Sequence, residues 1–149
     1  MYQRLYVPVD DSHTSHRALD EAAKLAKESG GMVRLVHVVD LAQFGWGGSE
    51  FLDANELQNN IREAGHKVLQ EAADRLQAAG VQHDQQLLES WGEKISEVLL
   101  QDAENWQADL IVMGTHGWGE LMQLLLGSVA EGVLRKANLP VLLLRSQDS

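Results

Sequence analysis

Short apolar runs alternate with longer segments of helical periodicity, and this alternation constrains the fold more than any other feature of the sequence. The first run, residues 5–9, ends at Asp10, and small apolar residues then recur three or four apart from about His13 to Ser29. Apolar strands separated by helices are typical of parallel pairing, because the chain must cross back before the next strand begins. The chain is therefore expected to form an α/β fold.

The same pattern predicts five strands and four helices. The strands are expected at residues 5–9, 32–39, 81–90, 109–114 and 141–145, and the helices at 13–29, 55–79, 95–106 and 128–137. Gly30 and Gly80 follow the first two helices as stop signals. The polar stretch 82–86 suits a strand at a sheet edge. We predict a doubly wound, five-stranded parallel sheet in a single domain, residues 1–149.

Charge and composition exclude several classes of function. The chain has 12 Lys and Arg against 22 Asp and Glu, a formal net charge of −10, which opposes binding to nucleic acid. It contains no cysteine, which excludes disulfides, thiolate zinc sites and cysteine nucleophiles. No signal peptide and no apolar run of membrane-spanning length is found in the sequence, so we expect a cytoplasmic protein that does not bind membranes.

Three glycines follow the fourth predicted strand and precede the last helix. They are Gly114, Gly117 and Gly127, and Ser128 comes directly after the third. Glycine tolerates positive φ and lacks a Cβ, so backbone N–H groups can turn toward an anion, and the positive end of the following helix adds to the attraction. Phosphate is the expected ligand of this segment.

Two simpler explanations stay open at this point. Glycines taken singly are explained by turns and helix ends. Ser128 and Glu131 also have the spacing of a capping box, which needs no ligand, and we weigh that role of Ser128 equally with phosphate binding. The segment is neither a dinucleotide fingerprint nor a Walker loop, so a different nucleotide-binding family is required.

The spacing of glycine, two residues, glycine, nine residues, glycine and serine resembles the nucleotide-binding members of the universal stress protein family. The resemblance extends to Val7-Pro8-Val9-Asp10, to His37-Val38-Val39-Asp40 and to residues 124–131 and 139–142. It implies a fold like that of the adenine nucleotide alpha hydrolases, with strand order 3-2-1-4-5. Asp10 and Gly114 would then flank the point where the strand order reverses, which is where such sheets bind ligands.

The resemblance also implies the binding residues. Adenine and ribose would contact the positions Pro8, Val9, Asp10 and Val38. The phosphates would contact the positions Met113, Gly114, Gly117, Gly127, Ser128 and Val129. A carboxylate at Asp10 can accept hydrogen bonds from both ribose hydroxyls, although the residue could instead cap the first helix. The expected ligand is ATP, or else ADP or AMP, with Mg²⁺ as a further candidate, and no catalytic or metal-ligating residue is assigned.

Some residues depart from the family pattern or stay outside it. Trp118, Gly119 and Glu120 stand where many relatives have basic or hydroxyl side chains, so phosphate affinity is expected to be weaker or metal-dependent. The six histidines show no zinc-like grouping and are interpreted as surface or capping residues. The segment from Gly45 to Phe51, rich in glycine and aromatic residues, is interpreted as a lid or partner loop.

The resemblance implies a regulatory, nucleotide-binding stress-response protein rather than an enzyme. A slow ATP hydrolase is the first alternative, although His116 is the only candidate base in the glycine-rich segment. A nucleotide-free dimerisation module is the second alternative. The last predicted strand, Pro140 to Leu144, is an apolar edge strand, and the family forms homodimers through it, so a homodimer is expected.

Overall fold

The strands and helices alternate along the chain as the sequence predicts. The computed structural model describes residues 2–10, 13–42, 54–115 and 127–145. The elements are β1 (Arg4–Pro8), α1 (His13–Ser29), β2 (Met32–Asp40), α2 (Ala54–Ala79), β3 (Gln82–Ser90), α3 (Ile95–Trp106), β4 (Leu110–Gly114), α4 (Ser128–Lys136) and β5 (Val141–Leu144). None of the helices within these ranges is long and apolar enough to cross a membrane.

The five strands form one parallel sheet in the order β3-β2-β1-β4-β5, which confirms the fold class and the strand order expected from the sequence. β1 lies at the centre, where Tyr6 is aligned with Arg34 of β2 and with Ile111 of β4. β3 is an edge strand with many exposed side chains, and this explains its polar sequence.

The element boundaries differ from the predicted ones by one residue at most. β1 ends at Pro8 instead of residue 9, although the N–H of Val9 still donates to the carbonyl of Val36 at 2.8 Å. α4 ends at Lys136 because Ala137 has extended dihedral angles, φ −68° and ψ 140°. Gly30, with φ 72°, follows α1 in the left-handed conformation expected of a helix stop.

One face of the sheet is covered by α1 and α2 through aliphatic contacts. Small residues of α1 and larger residues of α2 pack on the inward side chains of four strands. The buried residues include Leu5, Val7, Ala18, Leu19, Ala22, Val33, Leu35, Leu69, Leu76, Leu110 and Val112. Small residues on α1 allow close contact with the central strands, since a short side chain lets the helix backbone lie near the sheet.

The other face is covered by α3 and α4 and includes a partly buried polar network. The Tyr6 hydroxyl donates to Asp102 Oδ2 of α3 at 2.9 Å. Arg34 donates to both oxygens of the same carboxylate, from Nε and from Nη2, each at 3.0 Å. Arg34 Nη1 also contacts Asp84 Oδ2 at 3.3 Å. We call Tyr6, Arg34, Asp84 and Asp102 the polar cluster.

The C-terminal end of α3 is attached to the start of β1. The Arg4 guanidinium lies 4.0 Å from the centre of the Trp106 ring and donates to the Trp106 carbonyl at 2.7 Å. The carboxylate of Asp109 accepts the backbone N–H groups of Gln3 and Arg4 at 2.9 and 3.0 Å. These contacts hold α3 in one position along the sheet.

Candidate functional site

The carboxyl ends of β1, β2 and β4 meet at one edge of the sheet, and the predicted ligand-binding residues lie there. β1 has β2 on one side and β4 on the other. The helix that follows β1 packs on one face of the sheet, and the helix that precedes β4 packs on the opposite face. A crevice at such a reversal of strand order is the usual ligand position in an open α/β sheet.

The end of β1 is held by hydrogen bonds from both sides. The carbonyl of Val9 lies 2.7 Å from Nδ1 of His37 on β2. Because a carbonyl only accepts, Nδ1 carries the proton and donates. The backbone N–H of Asp10 donates to Ser15 Oγ of α1 at 2.9 Å. Asp10 is 8% exposed. The residue that would bind ribose is therefore fixed at the point where the strand ends.

A small cavity lies beside Asp10, between α1 and α2. Its volume is about 190 Å³, and His16, Glu71 and Arg75 form part of its wall. Ligand pockets for molecules of drug size measure roughly 300–1,000 Å³, so this cavity can hold only a fragment of a nucleotide. The remaining contacts to a nucleotide would come from the β4 side of the edge.

The end of β4 is connected to the start of α4 by a short chain of backbone hydrogen bonds. Gly114 is aligned with Leu144 of β5. The next residue, Thr115, donates its N–H to the Leu144 carbonyl at 3.0 Å, and its own carbonyl accepts the N–H of Gly127 at 2.8 Å. The two ends of the predicted phosphate segment are thus joined directly, and Gly117 lies outside the described residues.

The capping box expected as one role of Ser128 is wrong. Gly127 is the N-cap of α4, no described side chain caps the helix, and Ser128 is its first helical residue. Glu131 instead accepts a hydrogen bond from Arg135 at 3.0 Å. Ser128 lies one position too far along the helix to cap it, and its exposed side chain makes no hydrogen bond to a described residue.

Positive φ is not the reason for the glycines that the structure describes in this segment. Gly127 has φ −62° and ψ 151°, which any residue can adopt. The described glycines with positive φ are Gly30, Gly80 and Gly92. If glycine is required at 127, the reason is the close approach of another group to the backbone.

The structure brings most of the predicted site residues to the same edge. Pro8 is aligned with Val36 of β2, and Val38 follows two residues later on the same strand. Val38 and Met113, which lies near the end of β4, are both buried. The predicted residues within the described ranges are Pro8, Val9, Asp10, Val38, Met113, Gly114, Gly127, Ser128 and Val129. His116, Trp118 to Glu120 and the loop from Gly45 to Phe51 lie outside these ranges.

Three residues support this edge, of which two had no role assigned from the sequence and the third, His37, had a different one. Ser15 holds the backbone of Asp10, Thr115 joins β4 to α4, and His37 holds the carbonyl of Val9. His37 is partly buried and hydrogen-bonded, so its interpretation as a surface or capping residue is wrong. A polar residue inside an otherwise apolar strand was the available signal for His37, because a buried imidazole requires a partner.

The sequence is similar to one family over nearly its whole length. The profile of the Universal stress protein family matches residues 1–145. A universal stress protein of Methanocaldococcus jannaschii is 35% identical, over 97% of this chain and 83% of its own length. The universal stress protein YxiE of Bacillus subtilis is 31% identical, over 97% of this chain and the whole of its own.

Solved structures agree with these relatives. A protein of the universal stress protein family from Burkholderia pseudomallei is 35% identical and superimposes with a TM-score of 0.77, covering 96% of each chain. A universal stress protein from Archaeoglobus fulgidus in complex with dAMP is 26% identical, with a TM-score of 0.69 over 96% of this chain and 98% of that one. A universal stress protein in complex with cAMP has the same identity and TM-score and covers 98% of both chains.

Proposed function

The chain belongs to the universal stress protein family, and we propose that it binds an adenine nucleotide, ATP or else ADP or AMP, as a regulatory ligand. The observation that carries the proposal is the direct connection of the β4 end to the α4 start through Thr115 and Gly127, beside the end of β1. The dAMP and cAMP complexes of relatives support adenine nucleotides as the ligand class.

In this proposal the nucleoside lies over the ends of β1 and β2. Asp10 accepts hydrogen bonds from the ribose hydroxyls, and its fixed backbone keeps the carboxylate in one place. Pro8, Val9 and Val38 contact the adenine and ribose through backbone groups and apolar surface. Burial of this apolar surface contributes most of the affinity for the base.

The phosphates lie over the start of α4. Gly114, Gly117 and Gly127 leave room for them, and Ser128 donates its hydroxyl. The side chain of Ser128 is exposed and makes no hydrogen bond to a described residue, which supports this role. Met113 and Val129 form the adjoining walls. Since the chain carries a formal charge of −10, a triphosphate binds better with Mg²⁺ than without it.

Nucleotide analogues test the role of Asp10. AMP offers both ribose hydroxyls, 2′-dAMP offers only the 3′ and cAMP only the 2′. We expect Asp10→Asn to weaken AMP binding about tenfold, as loss of a charge-assisted hydrogen bond implies. The penalty should be smaller for the analogue that lacks the contacted hydroxyl. Isothermal titration of the three nucleotides measures this.

Asp20→Asn is the matched control for this test, because Asp20 is an exposed residue of the same helix that holds Asp10. It should leave all three affinities unchanged. Equal penalties from the two substitutions, or no binding of any nucleotide to the unmodified protein, would refute the proposal. Assay of ADP in the ATP-loaded sample separates a binding protein from the alternative, a slow hydrolase.

We also propose a homodimer formed through β5. Among the described residues this strand pairs with β4 on one side only. Three of its four residues, Val141 to Leu143, are half-buried apolar residues. The carbonyls of Pro140 and Leu144 bond to β4, so the N–H of Leu143 points to the open edge. Leu143→Pro should therefore give a folded monomer in sedimentation, while a dimer that persists would contradict this interface.

A further inference from the structure

A groove separates the N-terminal end of α3 from α4 on the outer surface of the protein. It has a volume of about 410 Å³, and its lining includes Lys94, Ser96, Ser128, Gly132, Arg135 and Lys136. We call it the α3–α4 groove. Its floor is formed where Ser96 packs on Gly132. A Cβ at position 132 would overlap Ser96 Oγ and lie 2.7 Å from Ser96 Cβ.

The first turn of α3, a helix of 12 residues, lines the groove. Lys94 is the N-cap, and its carbonyl accepts the N–H groups of Glu97 and Val98 at 3.0 and 3.1 Å. No side chain of the described part of the chain caps this helix. The N–H groups of Ile95 and Ser96 have no acceptor among the described residues. Such groups are the usual ligands of an anion at a helix N-terminus.

Ser96 supplies the second and independent observation. It is 5% exposed and lines the groove. Within the described ranges, its hydroxyl makes no hydrogen bond. A hydroxyl that lines a groove and has no partner among the described residues can donate to an acceptor bound there. The residue is therefore placed as a ligand-binding group and not only as a packing contact.

Charge in the groove is opposite to that of the whole chain. Lys94, Arg135 and Lys136 line it against one acidic residue, Glu131. Arg135 is paired with Glu131 at 3.0 Å, and Lys136 is paired with Glu97 at 2.9 Å.

Lys94 differs from the two paired cations. It forms no ion pair within 4.0 Å with any described residue. Lys136 and, more weakly, Lys94 lower the pKa of Glu97, so the ammonium of Lys94 lies near that carboxylate without bonding to it. A cation in this position can turn toward an anion in the groove.

We propose that the α3–α4 groove binds a phosphoryl group. The N–H groups of Ile95 and Ser96 and the Ser96 hydroxyl donate to its oxygens, and Lys94 neutralises its charge. The phosphoryl group is either free phosphate or the terminal phosphate of a nucleotide that reaches past Ser128, which lines the same groove. The proposal goes beyond the nucleotide site, because it requires only the groove.

Amide resonances of the ¹⁵N-labelled protein, titrated with inorganic phosphate at constant ionic strength, test the site directly. The amides of Ile95 and Ser96 should shift with one saturable curve. Lys94→Gln and Ser96→Ala should each weaken that binding about tenfold, as expected for loss of one charge-assisted hydrogen bond. Lys67→Gln on the exposed surface of α2 is the matched control and should change nothing.

Two further titrations identify the source of the phosphoryl group. If the terminal phosphate of a nucleotide occupies the groove, ATP shifts the Ser96 amide and blocks inorganic phosphate, while AMP does neither. If free phosphate is the ligand, it binds equally in the presence of either nucleotide. The proposal fails if neither phosphate nor ATP shifts the two amides, or if Lys94→Gln and Lys67→Gln have equal effects. If the protein binds no nucleotide, the titration with inorganic phosphate still decides whether the α3–α4 groove binds a phosphoryl group.

Discussion

The two faces of the sheet are covered by helices in different ways. Under α1 and α2 the core is aliphatic, as around Leu35, whereas under α3 and α4 it includes the polar cluster. Hydrophobic burial is non-directional, but hydrogen bonds and ion pairs require one geometry. The first face therefore contributes stability, and the second also fixes the position of α3. Since Ser96 lies in α3 and Lys94 is its N-cap, the polar cluster helps to determine where the α3–α4 groove lies.

The largest effect is expected on the aliphatic face. Leu35 is fully buried, so Leu35→Ala should lower the free energy of unfolding by about 4 kcal/mol through lost burial and a cavity. Urea unfolding measures this. Leu134→Ala, at an exposed position of α4, is the control and should change stability by less than about 0.5 kcal/mol. Equal losses of unfolding free energy at Leu35 and Leu134 would show that burial does not determine the contribution of the aliphatic face.

On the polar face, Asp102→Ala should lower the free energy of unfolding by about 3 kcal/mol, because it leaves Tyr6 and Arg34 without their shared acceptor. The side chains of Arg34 and Asp102 are only 14% and 17% exposed, so water screens the loss poorly.

Unlike the stability lost with the Leu35 side chain, the stability lost in Asp102→Ala should be regained by further substitutions. The triple variant Tyr6→Phe, Arg34→Met, Asp102→Leu should return to within about 1 kcal/mol of the original stability, since a well-packed apolar core can replace a buried ion pair. A triple variant no more stable than Asp102→Ala would contradict this, because it would show that apolar packing cannot replace the polar cluster.

The faces should also differ in their response to alkaline pH. Burial, followed by the neighbouring Asp102 carboxylate, raises the pKa of Tyr6 well above its ordinary value of 10.0. The folded state then keeps the phenol protonated where the unfolded chain ionises. Its stabilisation is complete below pH 10 and is lost as pH rises above 10. Between pH 8 and pH 11 the loss amounts to about 1.4 kcal/mol.

Unfolding measured across this pH range in the unmodified protein and in Tyr6→Phe isolates the contribution of the phenol. The variant should lack this part of the alkaline slope, while Leu35→Ala should retain it. Parallel curves for the unmodified protein and Tyr6→Phe would contradict the assignment.

The smallest effect is expected at the exposed ion pair on α4. Arg135 and Glu131 have side chains that are 70% and 58% exposed. Glu131→Gln should therefore change stability by about 0.3 kcal/mol or less, as exposed i,i+4 pairs do. Thermal unfolding at low and moderate salt checks this. A change as large as that of Asp102→Ala would mean that burial does not distinguish the two ion pairs.

Much of the fold could be predicted because its signals are local. The apolar residues of α1 recur within one helix, and Gly30 ends it, so the predicted bounds of 13–29 match the structure. The strand order came from the resemblance to a family and not from periodicity, since neither edge strand specifies its neighbour. The positions of Asp10 and Gly114 at the ends of neighbouring strands followed from that order.

The polar cluster could not be predicted, because its members are distant in the sequence. Tyr6 and Asp102 are separated by 96 residues, and Arg34 and Asp102 by 68. Arg34 was visible only as a charged residue in an apolar strand. The capping role considered for Ser128 was wrong for a different reason. A capping box depends on where the helix begins, and a shift of one residue makes Gly127 the cap.

The central claim is that the glycine segment after β4 binds nucleotide phosphates, and Gly127→Ala tests it most directly. Since φ at this position is −62°, alanine can adopt this backbone conformation without strain. Calorimetric titration of Mg²⁺-ATP into the original protein and into this variant is the measurement. We predict saturable binding by the first, and loss of binding by a variant that unfolds at the same temperature. Equal binding by both, or binding by neither, would contradict the account.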